Sequence, residues 1–136
     1  MITRISSLAF FLLLISACGS LTEFRKLEKL NETTRAYEQA IRWSEFDYAM
    51  NFLKPSERET NPPDESFYKR IRVTDYKIKK NALSEDEIKA IQIAEISYYR
   101  IDNMIVKTFT DRQQWEWDAK DNRWYLTSGL PAFSQK

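Results

Sequence analysis

The chain has 136 residues, with 21 basic and 20 acidic side chains, four tryptophans, seven tyrosines, eight phenylalanines, one cysteine, two glycines and no histidine. Near-neutral charge removes any general attraction for nucleic acid, a single cysteine allows no internal disulfide, and the missing histidine excludes Ser–His, Cys–His and His-based metal sites. Two glycines leave no Gly-rich phosphate loop, so an enzyme built here would depend on carboxylates, Tyr, Lys or Ser, and no metal or cofactor is expected.

Residues 5–15 form an apolar run broken by Ser6 and Ser7, with Arg4 the lone charge before it. The run is shorter than the ~20 apolar residues that cross a bilayer. A charged start, a short apolar middle and small residues after it predict an export signal. Ile15-Ser16-Ala17-Cys18 resembles the lipobox of bacterial lipoproteins, with an aliphatic position, two small ones and the thiol. The resemblance implies a signal peptide over 1–17, a diacylglycerol on Cys18 and an acyl chain such as palmitate on the new amino group. Several acyl chains hold a protein on a membrane far better than one. Gly19 stands where an aspartate would resemble the inner-membrane retention signal. The implied location is therefore the periplasmic face of the outer membrane.

Cutting 17 residues from 136 leaves 119, enough for one domain. Loss of Arg4 leaves 20 basic against 20 acidic residues. Ser20-Leu21-Thr22-Glu23 has the form of a capping box, and residues 18–30 read as the lipidated N-terminus and helix start. Leu27, Leu30, Thr34, Tyr37, Ile41 and Ser44 make one helical stripe, with Arg25, Glu28, Glu32, Arg35 and Gln39 opposite. The apolar set re-phases to Phe46, Ala49, Met50 and Leu53, which predicts a kink or short break near Ser44, with Ser44 and Asp47 as a second cap. Pro55 stops this piece. Either the fold sits directly on the membrane, or residues 19–30 fray and serve as an arm.

Residues 55–68, with Pro55, Pro62 and Pro63, read as a loop, either a lid or a plain connection. Strands follow. In 69–80 the parity flips near Thr74-Asp75, which predicts a β-bulge. Lys69, Arg70, Arg72, Lys77, Lys79 and Lys80 make this segment basic. It is either a patch for anionic headgroups or an acidic partner, or an edge strand guarded by lysines. A second strand spans 88–101, with a second bulge expected near Ala94-Glu95. A two-residue turn at Asp102-Asn103 pairs Tyr98 with Lys107 and Ile96 with Phe109. A third strand runs to Asp118. A turn at Ala119–Asn122 then pairs Trp117 with Trp124 and Trp115 with Leu126. Both hairpins put Ile96, Tyr98, Phe109, Trp115, Trp117, Trp124 and Leu126 on one face, which a one-residue slip would scatter.

The fold class is therefore α+β: an N-terminal kinked helix on a curved four-stranded antiparallel sheet, in a single domain over 31–136. Tyr37-x-x-Ala40-Ile41-x-x-Ser44-Glu45-Phe46-Asp47-x-Ala49, with the closing hairpin from Trp115 to Leu126, resembles the nuclear-transport-factor-two-like (cystatin-like) superfamily. Ser44-Glu45 stands where that family more often has a Gly-Asp turn. The resemblance implies a helix packed in a bent sheet, often a conical pocket and often a dimer, but no activity. Enzymes of the superfamily can use a pocket carboxylate as general base. Asp47, Asp75 and Asp111 are the candidates, and Asp111 shares its parity with Arg100 and Lys107 in a possible pocket. Asp111 is either that base or a strand carboxylate paired with one of those cations. Trp115, Trp117 and Trp124 are either core or a ligand-stacking wall.

The other sheet face carries Tyr99, Ile101, Val106 and Tyr125 as its apolar part. This patch is expected to dock an envelope protein or a second copy, or else to be covered by a loop or by the tail from Pro131. The leading functional expectation is a non-catalytic, membrane-anchored periplasmic lipoprotein module for protein interaction or assembly. The alternative is a ligand-binding protein or carboxylate-based enzyme that uses the cavity between helix and sheet.

Overall fold

The computed structural model describes residues 16–134, with side chains from residue 21 onward. The leader lies outside the described residues, and so does the Cys18 side chain. The order is α1 (Ser16–Arg42), α2 (Phe46–Ala49), a 3₁₀ turn (Met50–Phe52), α3 (Pro55–Thr60), α4 (Glu65–Tyr68), β1 (Ile71–Leu83), β2 (Lys89–Arg100), β3 (Lys107–Asp118) and β4 (Arg123–Leu126). The four strands form an open antiparallel meander in sequence order. With the helix before it, this is the expected α+β layout.

The helical stripe lies where its spacing requires. Leu30, Tyr37, Ala40 and Ile41 are buried, Thr34 is half-buried, and Arg25, Glu28, Glu32, Arg35 and Gln39 are exposed. The capping box is not used: α1 already runs through Ser20–Glu23. Trp124 Nε1 donates to Lys26 O (2.9 Å) and Lys29 Nζ to Asn122 O (3.1 Å), so residues 26–30 are docked on the domain rather than frayed.

The helix does not bend and continue. It ends at Arg42 in a Schellman turn: Glu45 N–H donates to Ala40 O (2.8 Å) and Ser44 N–H to Ile41 O (2.9 Å). Ser44 takes the left-handed conformation that glycine usually fills there (φ 59°). Its side chain does not cap α2, whose N-cap is Glu45 with no side-chain bond. Instead Ser44 Oγ accepts from Val73 N–H at 2.9 Å. That donor sits at the bulge in β1, where Thr74 is the extra residue between Val73 and Asp75.

Residues 55–68 are not a loop. Pro55 is at the first position of α3, where its missing N–H costs nothing. Asp64 caps α4 by accepting from Phe67 N–H (3.1 Å), and Phe67 is buried. The second bulge also falls elsewhere: β1 shifts again between Ile78 and Lys80, while β2 pairs with β3 without a break. Ala90, Gln92 and Ala94 therefore share the core face with Ile96 and Tyr98, and Ile91 and Ile93 are half-buried on the other. Ala90 lies opposite Trp115, and its small side chain leaves room for the indole.

The expected register holds from Tyr98 onward, where Tyr98 faces Lys107, Ile96 faces Phe109, Trp117 faces Trp124 and Trp115 faces Leu126, but the pair Ile101–Met104 that a two-residue turn would make is not formed. The β2–β3 turn is longer than expected. The strands stop at Arg100 and Lys107, and six residues connect them. Met104 has φ 57° and donates its N–H to Arg100 O (2.8 Å). The β2–β3 ladder loses residues 99–101 on one side and 104–106 on the other, three each, so the register is unchanged.

The core lies between α1 and one sheet face. Tyr37 meets Trp115 and Phe52 edge to face, with centroids at 5.2 and 5.5 Å. The tail closes the far end of that face. Phe133 packs on Tyr98, Phe109, Phe46 and Tyr68, and Ser134 N–H donates to Tyr98 Oη (2.9 Å). The tail thus covers the core and not the outer sheet face.

The left-handed Ser44 makes a stability prediction. Ser44→Ala keeps the strain and leaves Val73 N–H without its partner, a loss of about 1–3 kcal/mol. Ser44→Gly loses the same bond but relieves about 1–2 kcal/mol of left-handed strain. Denaturant unfolding should rank wild type above Ser44→Gly and Ser44→Gly above Ser44→Ala; an alanine variant as stable as wild type would show that the bond contributes nothing.

Candidate functional site

Asp111 lies on β3 opposite Ala94, on the face that α1 covers. Gln113 is fully buried two residues along. Its Nε2 donates to Asp111 Oδ2 at 3.0 Å and to Tyr76 Oη at 2.6 Å. Among the described residues no ion pair reaches Asp111. Burial raises its carboxyl above the usual range, and the Gln113 bond offsets this in part. Around it stand three tyrosines. Burial raises all three, with the Asp111 charge adding to it; Tyr68 is pushed up to about 12. Tyr37 Oη is buried and has no hydrogen-bond partner in the protein.

The cations do not join this group. Arg100 grips Asp102 through Nε–Oδ1 (3.0 Å) and a second contact from Nη2 to Oδ2. Lys107 lies four residues from Asp111 along β3, opposite Tyr98, about 13 Å away at ~3.4 Å per residue. Shared parity placed them on one face but not within reach, so the pairing of Asp111 with Arg100 or Lys107 is not formed. Asp75 faces Ser97 on the outer side and pairs with Lys77 (3.0 Å), and Asp47 is exposed on α2. The three carboxylates do not converge: Asp47 lines a shallow groove with Tyr48, Tyr68 and Lys69, apart from Asp75 and Asp111. An acid with a raised pKa is present, and the titrating groups coupled to it are Tyr37, Tyr68 and Tyr76.

The tryptophans divide. Trp115 and Trp124 are fully buried. Trp117 is partly buried against Trp124 (5.7 Å), with Lys26 and Lys29 over its ring at 5.9 and 5.6 Å. They are core and its lid of lysine stems, not an open stacking wall.

The four residues of the expected interaction face do not form one patch. Tyr125 is opposite Glu116, while Tyr99 lies beyond the Tyr98–Lys107 pair. Nine residues of β3 separate those levels, about 30 Å at ~3.4 Å per residue. Tyr125 is also buried, its hydroxyl donating to Asp121 Oδ2 (2.7 Å) and its ring under the Arg123 guanidinium (4.7 Å). Ile101 and Val106 are in the β2–β3 loop, with Met104 and Ile105 between them. These four are 47–63% exposed, the densest run of exposed large apolar side chains on the described surface. Ile101 N–H donates to Arg70 O (2.9 Å), so the start of β1, with exposed Lys69, Arg70 and Arg72, lies beside the loop. Reading Asp102-Asn103 as a two-residue turn put Met104-Ile105-Val106 into the strand that here begins at Lys107. The available signal was that consecutive apolar residues of both parities cannot all face one core.

Among the described residues no group of three or more Cys, Asp or Glu is placed to hold a metal ion, and no helix is long and apolar enough to cross a membrane.

No family model matches the chain, and no curated protein matches it. Among solved structures it is similar to a SEC-C motif containing protein from Rhodopseudomonas palustris, whose solution structure aligns with a TM-score of 0.51 at 14% identity over 77% of each chain. At that identity the likeness concerns the fold alone.

The buried carboxyl fixes a pH dependence. The folded chain holds the Asp111 proton more tightly than the unfolded chain. This group therefore favours folding below the ordinary carboxylate range, and that contribution is lost as pH rises through the raised folded value. Asp111→Asn, a permanent mimic of the protonated acid, should raise the melting temperature by a few degrees at pH 7–8 and leave it nearly unchanged near pH 4. Circular-dichroism melts across that range check this; an equal offset at every pH would show that Asp111 does not titrate between them.

Proposed function

We propose that this chain is a membrane-tethered, non-catalytic interaction module of the bacterial cell envelope, lipidated on Cys18 and held at the periplasmic face of the outer membrane. The cystatin-like relationship belongs to the same reading; the helix-on-open-sheet layout supports it. The observation that carries the non-catalytic part is the filled concave face. Tyr37, Phe52, Trp115, Trp124 and Phe133 occupy it, and the half-buried Asp111 carboxyl has an amide neighbour and, among the described residues, no ion pair.

The polarity of the domain supports the interaction part. Lys26 meets Trp124 at one end of the sheet, and α1 begins ten residues earlier, about 15 Å beyond that contact at ~1.5 Å per residue. The Ile101–Val106 loop is at the other end, next to where Ser44 meets Val73. A lipid on Cys18 leaves this loop on the membrane-distal side. Apolar side chains rimmed by Lys69, Arg70 and Arg72 suit an acidic partner surface with an apolar centre. The same basic rim disfavours two copies meeting through this loop.

Two measurements test the reading. Cys18→Ala should accumulate as an uncleaved or soluble form and vanish from the membrane fraction; normal-sized protein still in outer membrane would overturn the lipid anchor. A photoreactive residue at Ile105 should give a discrete protein adduct in intact cells, and one at the exposed Ile78 on β1 should not. Lys69→Glu, Arg70→Glu, Arg72→Glu together should abolish that adduct with little change in melting temperature. Adducts equal at both positions would remove the loop from the reading while leaving the anchor in place.

A further inference from the structure

The first turns of α1 carry apolar side chains that the domain does not cover. Leu21 is 58% exposed, Phe24 66% and Leu27 42%, at three-residue spacing. Leu21 and Phe24 come before the contacts that dock the helix, Trp124 Nε1 to Lys26 O and Lys29 Nζ to Asn122 O. A shallow groove beside Phe24 and Leu27 is lined by α1 residues alone, so among the described residues no second element walls it.

Two lysines stand five residues further on, Lys26 after Leu21 and Lys29 after Phe24. Both ammonium groups lie over the ring of half-buried Trp117, at 5.9 and 5.6 Å from its centroid. Among the described residues neither is in an ion pair. The ring face attracts them, but like charges one helical turn apart repel, and an anion between them removes that repulsion. Five residues of helix are about 7.5 Å at ~1.5 Å per residue. An apolar helix face sits ~5–10 Å into the boundary between headgroups and acyl chains, so Leu21 and Phe24 at that depth put the lysines at phosphate level. Tryptophan gathers at the same level. The apolar run of residues 5–15 ends where α1 begins. Kept, or cut away and replaced by a lipid on Cys18, it puts a bilayer at this end of the helix.

We propose that the first turns of α1, with Trp117, form a second and noncovalent membrane contact whose occupant is a phospholipid surface. Leu21 and Phe24 enter between the headgroups. Lipid phosphate meets the ammonium groups of Lys26 and Lys29 beside the Trp117 ring. Arg25 is the third cation of these turns, against Glu23 and Glu28, so an anionic lipid is favoured severalfold over a zwitterionic one. The inference rests on the anchor reading for one thing only, a bilayer at the start of α1. It adds a set of protein side chains that hold the domain at a fixed angle to that bilayer.

The test uses the full chain in phosphatidylcholine nanodiscs, with and without phosphatidylglycerol. Tryptophan is ¹⁵N-labelled, and a lipid with a gadolinium chelate on its headgroup relaxes nearby indole N–H signals. Trp117 should relax many times faster than Trp43, which is 69% exposed at the other end of α1, about 25 Å from Lys26 at ~1.5 Å per residue. Leu21→Glu with Phe24→Glu should keep the chain in the nanodisc and leave its melting temperature unchanged, while the effect on Trp117 falls severalfold. Phosphatidylglycerol should strengthen that effect, and Lys26→Gln with Lys29→Gln should remove the difference it makes. Intact mass reads the acylation of Cys18 separately: a chain held by an uncleaved leader ends the lipid reading and leaves this test in force. Trp117 relaxed no faster than Trp43 shows a domain that turns freely on its tether. An effect that survives the two glutamates puts Leu21 and Phe24 in water or against a second copy, and a phosphatidylglycerol effect untouched by the lysine changes removes the phosphate contact; each of these results overturns the proposal.

Discussion

Tyr37 and Trp115 stand edge to face at the middle of the domain, and the rest of the chain is placed by that contact. Both are fully buried, one from the helix and one from β3. Their meeting fixes how far along the sheet the helix lies. It also requires small residues around the indole. Ala90 sits directly opposite Trp115, and Ala40, one turn on from Tyr37, is buried too. Phe52 approaches both rings edge-on, so the 3₁₀ turn after α2 is held against the same pair. Leu53 then bridges to Leu126 beside β4, which extends the edge of a strand only four residues long. A core of this kind derives its order from ring geometry as well as area, since edge-to-face pairs prefer a narrow set of arrangements.

The consequence for Asp111 is that its neighbourhood is built by packing. The helix brings Tyr37 over the sheet, β1 brings Tyr76, and α4 brings Tyr68. All three rings are coupled to a carboxyl that accepts a hydrogen bond from Gln113. Such a cluster resembles a tuned catalytic acid in its burial, but tuning by burial alone also occurs in structural networks. What separates the two cases is a second group at working distance. Arg100 is occupied with Asp102, and Lys107 lies a third of the strand away. The titrating neighbours the packing does supply are the three tyrosines.

How much of this was legible in the sequence follows from which physics each feature uses. The strand pairing from Ile96 to Leu126 was legible because a period of two leaves only one register that gathers the large rings. The helix stripe was legible for the same reason at its own period. The bulges were half legible: a parity flip in β1 requires an extra residue, and Thr74 supplies it. In β2 the apparent flip was an artefact of weighing isoleucines above alanines. Ala90 and Ala94 face the core because rings need space, and hydrophobicity alone cannot show that. The Ser44 turn was legible as a break but not as a Schellman motif, since serine rarely takes the left-handed position and does so here with Val73 N–H as compensation. Long-range placements were not legible. Phe133 under Tyr98, and Tyr125 a sheet's length from Tyr99, depend on distances along strands that face assignments do not contain.

The two ends of the domain differ in chemistry, and a stiff element joins them. The 27-residue α1 is about 40 Å long at ~1.5 Å per residue. Its last three turns carry Tyr37, Ala40 and Ile41 in the core, and its first turns leave Leu21 and Phe24 more than half exposed. Those two side chains lie three residues apart, on one side of the helix, just beyond Cys18 in sequence. With an acyl-modified Cys18 in the headgroup region, exposed Leu21 and Phe24 would lie beside the same lipids, where apolar surface carries no penalty. A flexible arm would let the domain sample every orientation. A helix docked through Trp124 and Lys29 does not, because the contacts that fold the domain also fix its angle to the start of the helix, and so to any lipid carried there. The apolar loop Ile101–Val106 would then be held away from the bilayer as a property of the fold. Its basic rim, at that height, would meet proteins before lipids. That geometric coupling is why the anchor and the distal loop belong to one functional reading rather than two.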